Sequence, residues 1–243
     1  MKPIIVIPAR LAATRFPNKP LAEINGEAMI VHCWRRATEA GLGPVLVAAG
    51  DVEIVEIIKS VGGDAILTNP DHPSGSDRVW EAVMRRDPNG KYDVIVNVQG
   101  DLPTLDPAVI QASIEPLQDT KVDIATLVAE ITRDEERANP NVVKAFVGFK
   151  QGHNTARALT FTRATAPYGD GPLYHHIGLY AYRRHALEKF IGTPPGILEM
   201  REKLEQLRAL ESGLRIDVRL VDTVPLGVDT PEDLERARQI LSV

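Results

Sequence analysis

Three cationic side chains follow the first apolar run of the chain, Ile4–Ile7. The segment reads Pro8-Ala9-Arg10-Leu11-Ala12-Ala13-Thr14-Arg15-Phe16-Pro17-Asn18-Lys19-Pro20. Arginine offers a planar fork of donors and lysine a compact charge, so Arg10, Arg15 and Lys19 together suit a triphosphate. An open parallel sheet usually binds its ligand beyond the carboxyl ends of its strands, which favours phosphate binding over the alternative of a solvated basic loop.

A carboxylate follows a second apolar strand, in Val94-Ile95-Val96-Asn97-Val98-Gln99-Gly100-Asp101-Leu102-Pro103. The strand would deliver Gln99 and Asp101 to its carboxyl end, and Gly100 would let a ligand approach the backbone. Magnesium is usually held by one or two carboxylates together with substrate phosphates, so Asp101 is a candidate ligand. The alternative is a cap or turn residue.

A second candidate carboxylate, Asp229, lies in Gly227-Val228-Asp229-Thr230-Pro231-Glu232-Asp233-Leu234. The same segment is a good helix start, with Thr230 as the expected cap, so Asp229 could cap and coordinate or merely cap. Nothing in the sequence gives its distance from Asp101.

Other polar groups carry weaker signals. The turn Asp71-His72-Pro73-Ser74-Gly75-Ser76-Asp77-Arg78 enters a helix, and its backbone amides could recognise a base edge. His175 and His176 are adjacent and would point to opposite faces of a strand, which disfavours a shared zinc ion. Cys33 lies in an apolar helical pattern and is expected to pack rather than react.

The element order predicts an α/β protein. Short apolar strands alternate with helical patterns as far as Val122, which is typical of a mostly parallel sheet covered on both faces. Expected helices include Ala28–Ala40, Val52–Ser60, Ser76–Arg86 and Pro107–Leu117. Beyond Val122 the strand patterns lack regular helices, which indicates an antiparallel lobe, followed by a long helix Leu198–Leu210 and a last helix Pro231–Leu241.

The composition narrows the class of protein. The chain has 243 residues, 44% apolar and 25% charged, which is ordinary for a globular protein. Its net charge of −5 and the absence of any Lys/Arg block argue against a nucleic-acid-binding protein. The sequence lacks the GxxxxGK[ST] pattern of P-loop proteins and the GxGxxG pattern of Rossmann cofactor sites, which argues against both kinds of site. No apolar run predicts a signal peptide or membrane insertion, so we expect a cytoplasmic location.

Taken together, these segments resemble the 3-deoxy-manno-octulosonate (Kdo) cytidylyltransferases. The resemblance extends in order over almost the whole chain, through Ile7–Leu21, Asp71–Arg78, Val96–Pro103, Asn139–Lys144, Thr162–Pro167, His176–Tyr182, Leu204–Arg208 and Gly227–Leu234. It implies transfer of CMP from CTP to Kdo for lipopolysaccharide synthesis, with Mg²⁺ as cofactor. It also implies a homodimer and a GT-A-like, doubly wound, mostly parallel fold with a small antiparallel lobe. Residues 1–243 would then form one domain, with a sugar-binding and dimerisation lobe at about 123–185.

The resemblance also implies roles for individual residues. Arg10 and Lys19, with the carboxylates Asp101 and Asp229 that would hold magnesium, would be catalytic. The nucleotide site would comprise Pro8, Ala9, Arg10, Arg15, Lys19, Ser74, Gly75 and Ser76. The sugar site would comprise Arg78, Gln99, Arg163, His176, Tyr180, Glu205 and Gln206.

The sequence departs from the family at a few of these positions. Ala13 and Asn18 replace a serine and a glycine of the first loop, Leu102 replaces a glutamate, and Ser76-Asp77 replaces Thr-Glu. Three other functions stay open: CMP activation of sialic acid or an amino-Kdo, a non-catalytic nucleotide-binding protein, and a glycosyltransferase. The last is disfavoured because no Asp-x-Asp pair ends the fourth apolar strand.

Overall fold

The computed structural model describes residues 1–12 and 16–242. Its strands are β1 (Pro3–Ala9), β2 (Glu23–Ile24), β3 (Glu27–Ala28), β4 (Val45–Ala49), β5 (Asp64–Leu67), β6 (Val94–Asn97), β7 (Ile124–Glu130), β8 (Lys144–Val147), β9 (Thr155–Thr162), β10 (Tyr174–Arg183) and β11 (Ile216–Val221). Its helices are α1 (Met29–Glu39), α2 (Val52–Ser60), α3 (Gly75–Arg86), α4 (Pro107–Ala112), α5 (Asp134–Arg137), α6 (Arg184–Gly192), α7 (Ile197–Glu202), α8 (Gln206–Glu211) and α9 (Pro231–Ile240). Two 3₁₀ turns cover Lys19–Leu21 and Glu115–Gln118.

The chain divides into two compact units. The first comprises Met1–Gln111 and Pro225–Val243, and the second comprises Ala112–Val224. The lobe expected at about 123–185 falls inside the second unit. Among the helices of residues 1–12 and 16–242, none combines the length and apolar character that crossing a bilayer requires.

The first unit contains a parallel sheet in the order β5-β4-β1-β6. Ile4, Ile5, Val6 and Ile7 of β1 are each at most 1% exposed, as a continuous apolar run predicts for a strand covered on both faces. Helices α1 and α3 pack on β1 and β4, and α2 packs on β4 and β5. The expected α/β architecture with a parallel sheet is confirmed in this unit.

Strand β1 runs beyond the apolar run Ile4–Ile7, and Pro8 does not end it. Pro8 is still in register with Ala48 of β4, and the strand reaches Ala9. On the other side, pairing with β6 stops at Val6 opposite Asn97. Alternate residues of a strand bond to opposite neighbours, so the missing N–H of Pro8 faces the side where the ladder has already ended.

The second unit contains a mixed sheet in the order β10-β7-β11-β9-β8, in which β8 also pairs with β10. Only the β7–β11 pair of this set is parallel. Helix α6 was not anticipated, since the sequence pattern placed nothing between β10 and the helix near Leu198.

Two predicted helices are wrong in their continuity. The helix expected at Pro107–Leu117 ends at Ala112, and a 3₁₀ turn carrying Pro116 follows, because proline has no N–H to donate to the preceding turn of an α-helix. The helix expected at Leu198–Leu210 is divided into α7 and α8 by Lys203, which has a left-handed φ of 55°. Helical periodicity continues across that break, so the sequence pattern could not reveal it.

Candidate active site

A cavity of about 420 Å³ opens beyond the carboxyl ends of β1 and β6 in the first unit. Its walls combine backbone of both strand ends with charged side chains: Pro8, Ala9, Arg10, Ala12, Phe16, Lys19, Pro20, Gln99, Gly100, Asp101 and Asp229. The structure therefore brings together Arg10, Lys19, Asp101 and Asp229, the four residues expected to be catalytic. Arg15 lies outside the described residues.

Lys19 joins the two carboxylates of this cavity. Its Nζ lies 2.8 Å from Asp101 Oδ2 and 3.1 Å from Asp229 Oδ1. Burial disfavours the charged ammonium, but the two carboxylates outweigh it, so the pKa of Lys19 is raised above 10.5. Lys19 is therefore a cation throughout the physiological range of pH.

Close backbone contacts bring Asp101 and Asp229 together. A Cβ on Gly100 would lie 2.9 Å from the Pro8 carbonyl oxygen, so only glycine lets the loop after β6 pass so near the end of β1. The backbone N–H of Val228 donates to the Asp101 carbonyl at 3.0 Å, which holds the loop of Asp229 beside that of Asp101.

Asp229 is not the helix cap. Thr230 caps α9 by accepting from the Asp233 backbone N–H, and the Asp233 carboxylate accepts in return from the Thr230 backbone. The carboxylate of Asp229 pairs with Lys19 instead. The alternative in which Asp229 merely caps is thereby excluded.

Asn18 presents Lys19 to the cavity. Its backbone is left-handed, with a φ of 57°, and the 3₁₀ turn Lys19–Leu21 begins at the next residue. Asparagine tolerates this conformation better than most residues, so the exchange of glycine for Asn18 preserves the loop. Leu102, another of the departures, is 9% exposed and packs as an apolar side chain, and Ala13 lies outside the described residues.

A smaller cavity of about 240 Å³ adjoins the first. It shares Pro8, Ala9, Arg10 and Gln99 with the first cavity and adds His72, Pro73, Ser74, Gly75 and Arg78. Ser74 caps α3 by accepting from the Asp77 backbone N–H at 3.2 Å, so the amino end of the helix faces this space. Ser76, the remaining residue of the expected base turn, is buried at 3% exposure.

Arg78 lines this smaller cavity and is 2% exposed. Its guanidinium donates to Thr68 Oγ1 at 2.6 Å and to the Pro70 carbonyl at 3.2 Å. Burial and the charge of Arg10 lower the pKa of Arg78. Arg78 and Gln99, both expected at the sugar, thus lie in the first unit beside the residues expected to bind the nucleotide.

The second unit brings His176 and Tyr180 together through a β-bulge in β10. His176 is in register with Val128 of β7, whereas Tyr180 is in register with Thr126, only two residues away. Residues four apart share a face of a strand, and the two extra residues of β10 bring the two rings close together, with centroids 5.5 Å apart. A regular strand would separate residues four apart by about 13 Å.

His176 is neutral in this environment. Burial and the neighbouring His175 lower its pKa to about 3. Its Nε2 lies 3.1 Å from Thr126 Oγ1, whose single proton is directed to the carbonyls of Ile177 or Leu179. The Thr126 oxygen therefore accepts from His176, which assigns the proton of the imidazole to Nε2.

Glu205 and Gln206 lie at the start of α8. Burial and the charges of Tyr182 and Glu205 raise the pKa of Tyr180. Glu205 is therefore near enough to Tyr180 to act on it electrostatically. Gln206 is only 7% exposed, and its Nε2 has no hydrogen-bond partner among the described residues. The break at Lys203 divides the helix expected at Leu198–Leu210, and Gln206 is buried in the first turn of α8.

Arg163 connects the end of β9 to the turn between α7 and α8. Its guanidinium donates to the backbone carbonyls of Glu202 at 2.8 Å, Pro140 at 2.9 Å and Lys203 at 3.3 Å. The Glu202 carboxylate accepts from the Arg163 backbone and from Thr162. Glu202 and Thr126 carry contacts that sequence reasoning missed, since neither stands out by type or spacing.

The donor set of the first cavity fits a hard divalent cation. Two carboxylates already converge on one ammonium, which acts there as a stand-in for a bound ion, and oxygen ligands are those that magnesium prefers. No group of three or more His, Cys, Asp or Glu side chains suited to a metal occurs in residues 1–12 and 16–242. Further ligands would have to come from phosphate oxygens and water.

Comparison with known proteins gives the family. A family model described as cytidylyltransferase matches residues 4–216. The chain is 65% identical to a 3-deoxy-manno-octulosonate cytidylyltransferase of Paramagnetospirillum magneticum, over 99% of this chain and 98% of that protein. The chain belongs to the 3-deoxy-manno-octulosonate cytidylyltransferase family. A relative of the same description from Rhodospirillum rubrum is 64% identical over 98% of this chain and 95% of its own length.

A solved structure supports the same assignment. A CMP:2-keto-3-deoxy-manno-octonic acid synthetase complexed with CTP matches with a TM-score of 0.91 and 37% identity, over 100% of this chain and 99% of that chain. The predicted family and enzyme class are confirmed, and the fold is the mixed α/β fold of a nucleotidyltransferase. The individual site residues stay predictions.

Proposed function

We propose that this protein transfers CMP from CTP to the anomeric hydroxyl of Kdo and releases pyrophosphate. The observation that carries the proposal is the convergence of Arg10, Lys19, Asp101 and Asp229 on one cavity at the ends of β1 and β6. Their chemistry suits a triphosphate with a divalent cation. The full-length likeness to Kdo cytidylyltransferases supplies the identity of both substrates.

The reaction is an in-line displacement, in which the anomeric oxygen of the sugar bonds to the α-phosphorus as the bond to pyrophosphate breaks. Such chemistry depends on positioning and on stabilising charge rather than on a protein nucleophile. Arg10 and Lys19 would bind the leaving pyrophosphate and neutralise the negative charge that it gains. Arg15 belongs to the same proposed set by its place in the sequence.

Mg²⁺ is the proposed cofactor, and Asp101 and Asp229 would hold it. When bound, it would supply positive charge to the phosphates. Lys19 would then leave the carboxylates, because an ammonium and a divalent cation repel each other in so small a space. The phosphates of CTP offer Lys19 its new anionic partner.

In the second unit, Arg163, His176, Tyr180, Glu205 and Gln206 are the residues proposed to bind the sugar. For Arg78 and Gln99, in the first unit, the same role rests on the family resemblance alone. The neutral His176, the phenol of Tyr180 and the carboxylate of Glu205 offer both donors and acceptors to sugar hydroxyls. The side-chain N–H of Gln206, for which the described residues offer no acceptor, supports a role in binding, since a buried donor without an acceptor is costly unless a ligand supplies one.

The remaining features of the proposal rest on the resemblance. They are a GT-A-like, doubly wound fold, a homodimer, a cytoplasmic location and a place in lipopolysaccharide synthesis. The parallel order β5-β4-β1-β6, with ligand-binding residues beyond the strand ends, supports the doubly wound description.

The decisive experiment measures pyrophosphate release with CTP, Mg²⁺ and Kdo, leaving out each in turn. We expect release only when all three are present. Release with sialic acid or an amino-Kdo, but not with Kdo, would keep the chemistry and change the substrate. CTP binding without release for any sugar would favour a non-catalytic nucleotide-binding protein.

A further inference from the structure

Two adjacent residues that follow β4, Gly50 and Asp51, hold the backbone on both sides of Arg10. The backbone N–H of Gly50 donates to the Ala9 carbonyl at 2.8 Å. The Asp51 carboxylate, through Oδ2, accepts from the backbone N–H of Leu11 at 2.7 Å. Arg10 is the one residue between these two anchor points, so its place at the end of β1 is set by the segment after β4.

Gly50 also leaves room for the side chain of Arg10. A Cβ on Gly50 would lie 3.1 Å from the Cβ of Arg10 and 2.9 Å from Nη1 of Arg78. Both distances are shorter than ordinary van der Waals contacts, so a side chain at position 50 would press on both arginines. The missing side chain therefore lets Arg10 pack directly against the backbone that anchors it.

Asp51 does not use its carboxylate for the helix that it precedes. It occupies the N-cap position of α2 with an extended backbone, yet its side chain makes no capping hydrogen bond to residues 52–55, all of which the structure describes. An aspartate at this position usually accepts from the first turn of its helix, which stabilises a protein by about 1 kcal/mol. The carboxylate is directed to Leu11 instead, so a contact with the cationic loop replaces the cap.

Arg10 is exposed on the wall that the two cavities of the first unit share. A phosphate that binds an exposed arginine has to order it, and each part that is already held in place lowers that cost. We propose that Asp51 is a positioning residue for the triphosphate: through Leu11 it holds Arg10 toward the β- and γ-phosphates of CTP.

The inference rests on the proposed function, which gives Arg10 its role at the phosphates. A different role for Asp51 would be to neutralise two arginines. Burial and the charge of Arg10 lower the pKa of Arg78, and the charge of Asp51 opposes both. If neutralisation were its only role, removal of the carboxylate would strengthen the binding of an anion, whereas loss of a positioning contact weakens it. The two roles therefore differ in sign.

The first test measures the dissociation constants of CTP and CMP by calorimetry, with Mg²⁺ and without sugar, so that no turnover occurs. CMP lacks the β- and γ-phosphates and reports on the rest of the site. We expect Asp51→Ala to weaken CTP binding about tenfold and CMP binding less than about twofold. Asp51→Asn keeps an oxygen acceptor for Leu11 and should stay near the wild type.

Glu53→Gln is the matched control, because it removes an exposed charge from the first turn of the same helix. It should change neither dissociation constant. Tighter CTP binding by Asp51→Ala, or an unchanged ratio of CTP to CMP affinity, overturns the inference.

A double-mutant cycle tests whether Asp51 acts through Arg10. In Arg10→Ala protein, Asp51→Ala should have no further effect on the ratio of CTP to CMP affinity, since the residue that it positions is gone. The same tenfold effect in both backgrounds, about 1.4 kcal/mol in each, would show that Asp51 does not act through Arg10.

A measurement on the wild-type protein does not depend on the folding of any variant. Hydrogen exchange followed by NMR reports the protection of the Leu11 amide, which we expect to exchange slowly without nucleotide because it donates to Asp51. Exchange at the rate of a free amide would remove the anchor and the inference with it. If the wild type binds CTP and the variants fail these tests, the proposed function stands; if the wild type does not bind CTP, the proposed function fails as well.

Discussion

Lys19 Nζ lies 2.8 Å from Asp101 Oδ2, and the same ammonium reaches Asp229 Oδ1 at 3.1 Å. A residue of the cationic loop thus bridges two carboxylates that are 128 positions apart in the sequence (229 − 101). The ammonium neutralises the two carboxylates, which would otherwise attract a divalent cation. Metal binding and phosphate binding should therefore be coupled through Lys19.

The first prediction concerns this coupling. Lys19→Met keeps most of the length of the side chain and removes its charge, so in the absence of nucleotide it should bind Mn²⁺ about tenfold more tightly than the wild type. Titration followed by electron paramagnetic resonance measures free Mn²⁺ directly. The exposed Lys59 of α2 gives a control, Lys59→Met, that should bind as the wild type does; equal or weaker binding by Lys19→Met would contradict the prediction.

Turnover should respond in the opposite direction. Lys19→Met should lower kcat/KM for CTP at least about a hundredfold, because the developing charge on pyrophosphate loses a partner. Steady-state pyrophosphate release measures this. Near-normal turnover would show that Lys19 serves only as a counter-ion to Asp101 and Asp229.

The two carboxylates should behave alike. Asp101→Asn and Asp229→Asn each keep the shape of the side chain but remove a charged ligand, so each should raise the Mg²⁺ concentration for half-maximal activity at least about tenfold. Asp222→Asn, at an exposed position of the second unit, is the control. A variant with normal magnesium dependence would remove that residue from the proposed metal site.

The burial of His176 predicts how the free energy of unfolding changes at acid pH. Its pKa is about 3 in the folded protein and about 6.5 when unfolded, so the unfolded chain binds more protons between these values. The free energy of unfolding should then rise with pH across this window, by up to about 1.4 kcal/mol per pH unit from this residue. His175, whose pKa is also lowered, adds to the same slope.

Urea unfolding at several pH values tests this. His176→Gln should flatten the dependence between about pH 6.5 and pH 4, whereas His153→Gln, at an exposed position, should leave it as in the wild type. The same slope in His176→Gln and the wild type would mean that His176 can take up a proton in the folded state.

Gln206 should show a conflict between stability and binding. Gln206→Met nearly keeps the volume and removes a buried amide N–H that has no acceptor among the described residues, so it should raise the free energy of unfolding by about 1 kcal/mol. It should also raise KM for Kdo while leaving KM for CTP unchanged. Urea unfolding and steady-state kinetics give the two values, and a destabilised variant would indicate that Gln206 serves the fold instead.

Much of the first unit could be predicted from the sequence. The apolar runs of β1, β4 and β6 are short and buried, and helices α1, α2 and α3 have the expected periodicity, because local patterns dominate where strands and helices alternate. Positions at strand ends follow directly, which is why Arg10 and Asp101 could be assigned to one edge of a sheet. The cap at Thr230 was predictable for the same local reason.

The second unit was less predictable, because its geometry depends on contacts between distant segments. The bonds of Arg163 to Glu202 and Lys203 hold a break in what reads as one helix, and that break buries Gln206. The two extra residues in β10 bring His176 beside Tyr180. Neither event leaves a mark on hydrophobic periodicity.

By itself the sequence determined the chemistry available to this protein: cations and carboxylates at strand ends, no cysteine pair, and a set of motifs that identifies the family. Only the tertiary structure decided which of these groups meet, because distance in space between residues such as Asp101 and Asp229 is fixed by the packing of their loops. The tertiary structure also decided the protonation states and the ion-pair partners of these groups. The neutral imidazole of His176 and the bridging ammonium of Lys19 each depend on neighbours that lie far away along the chain.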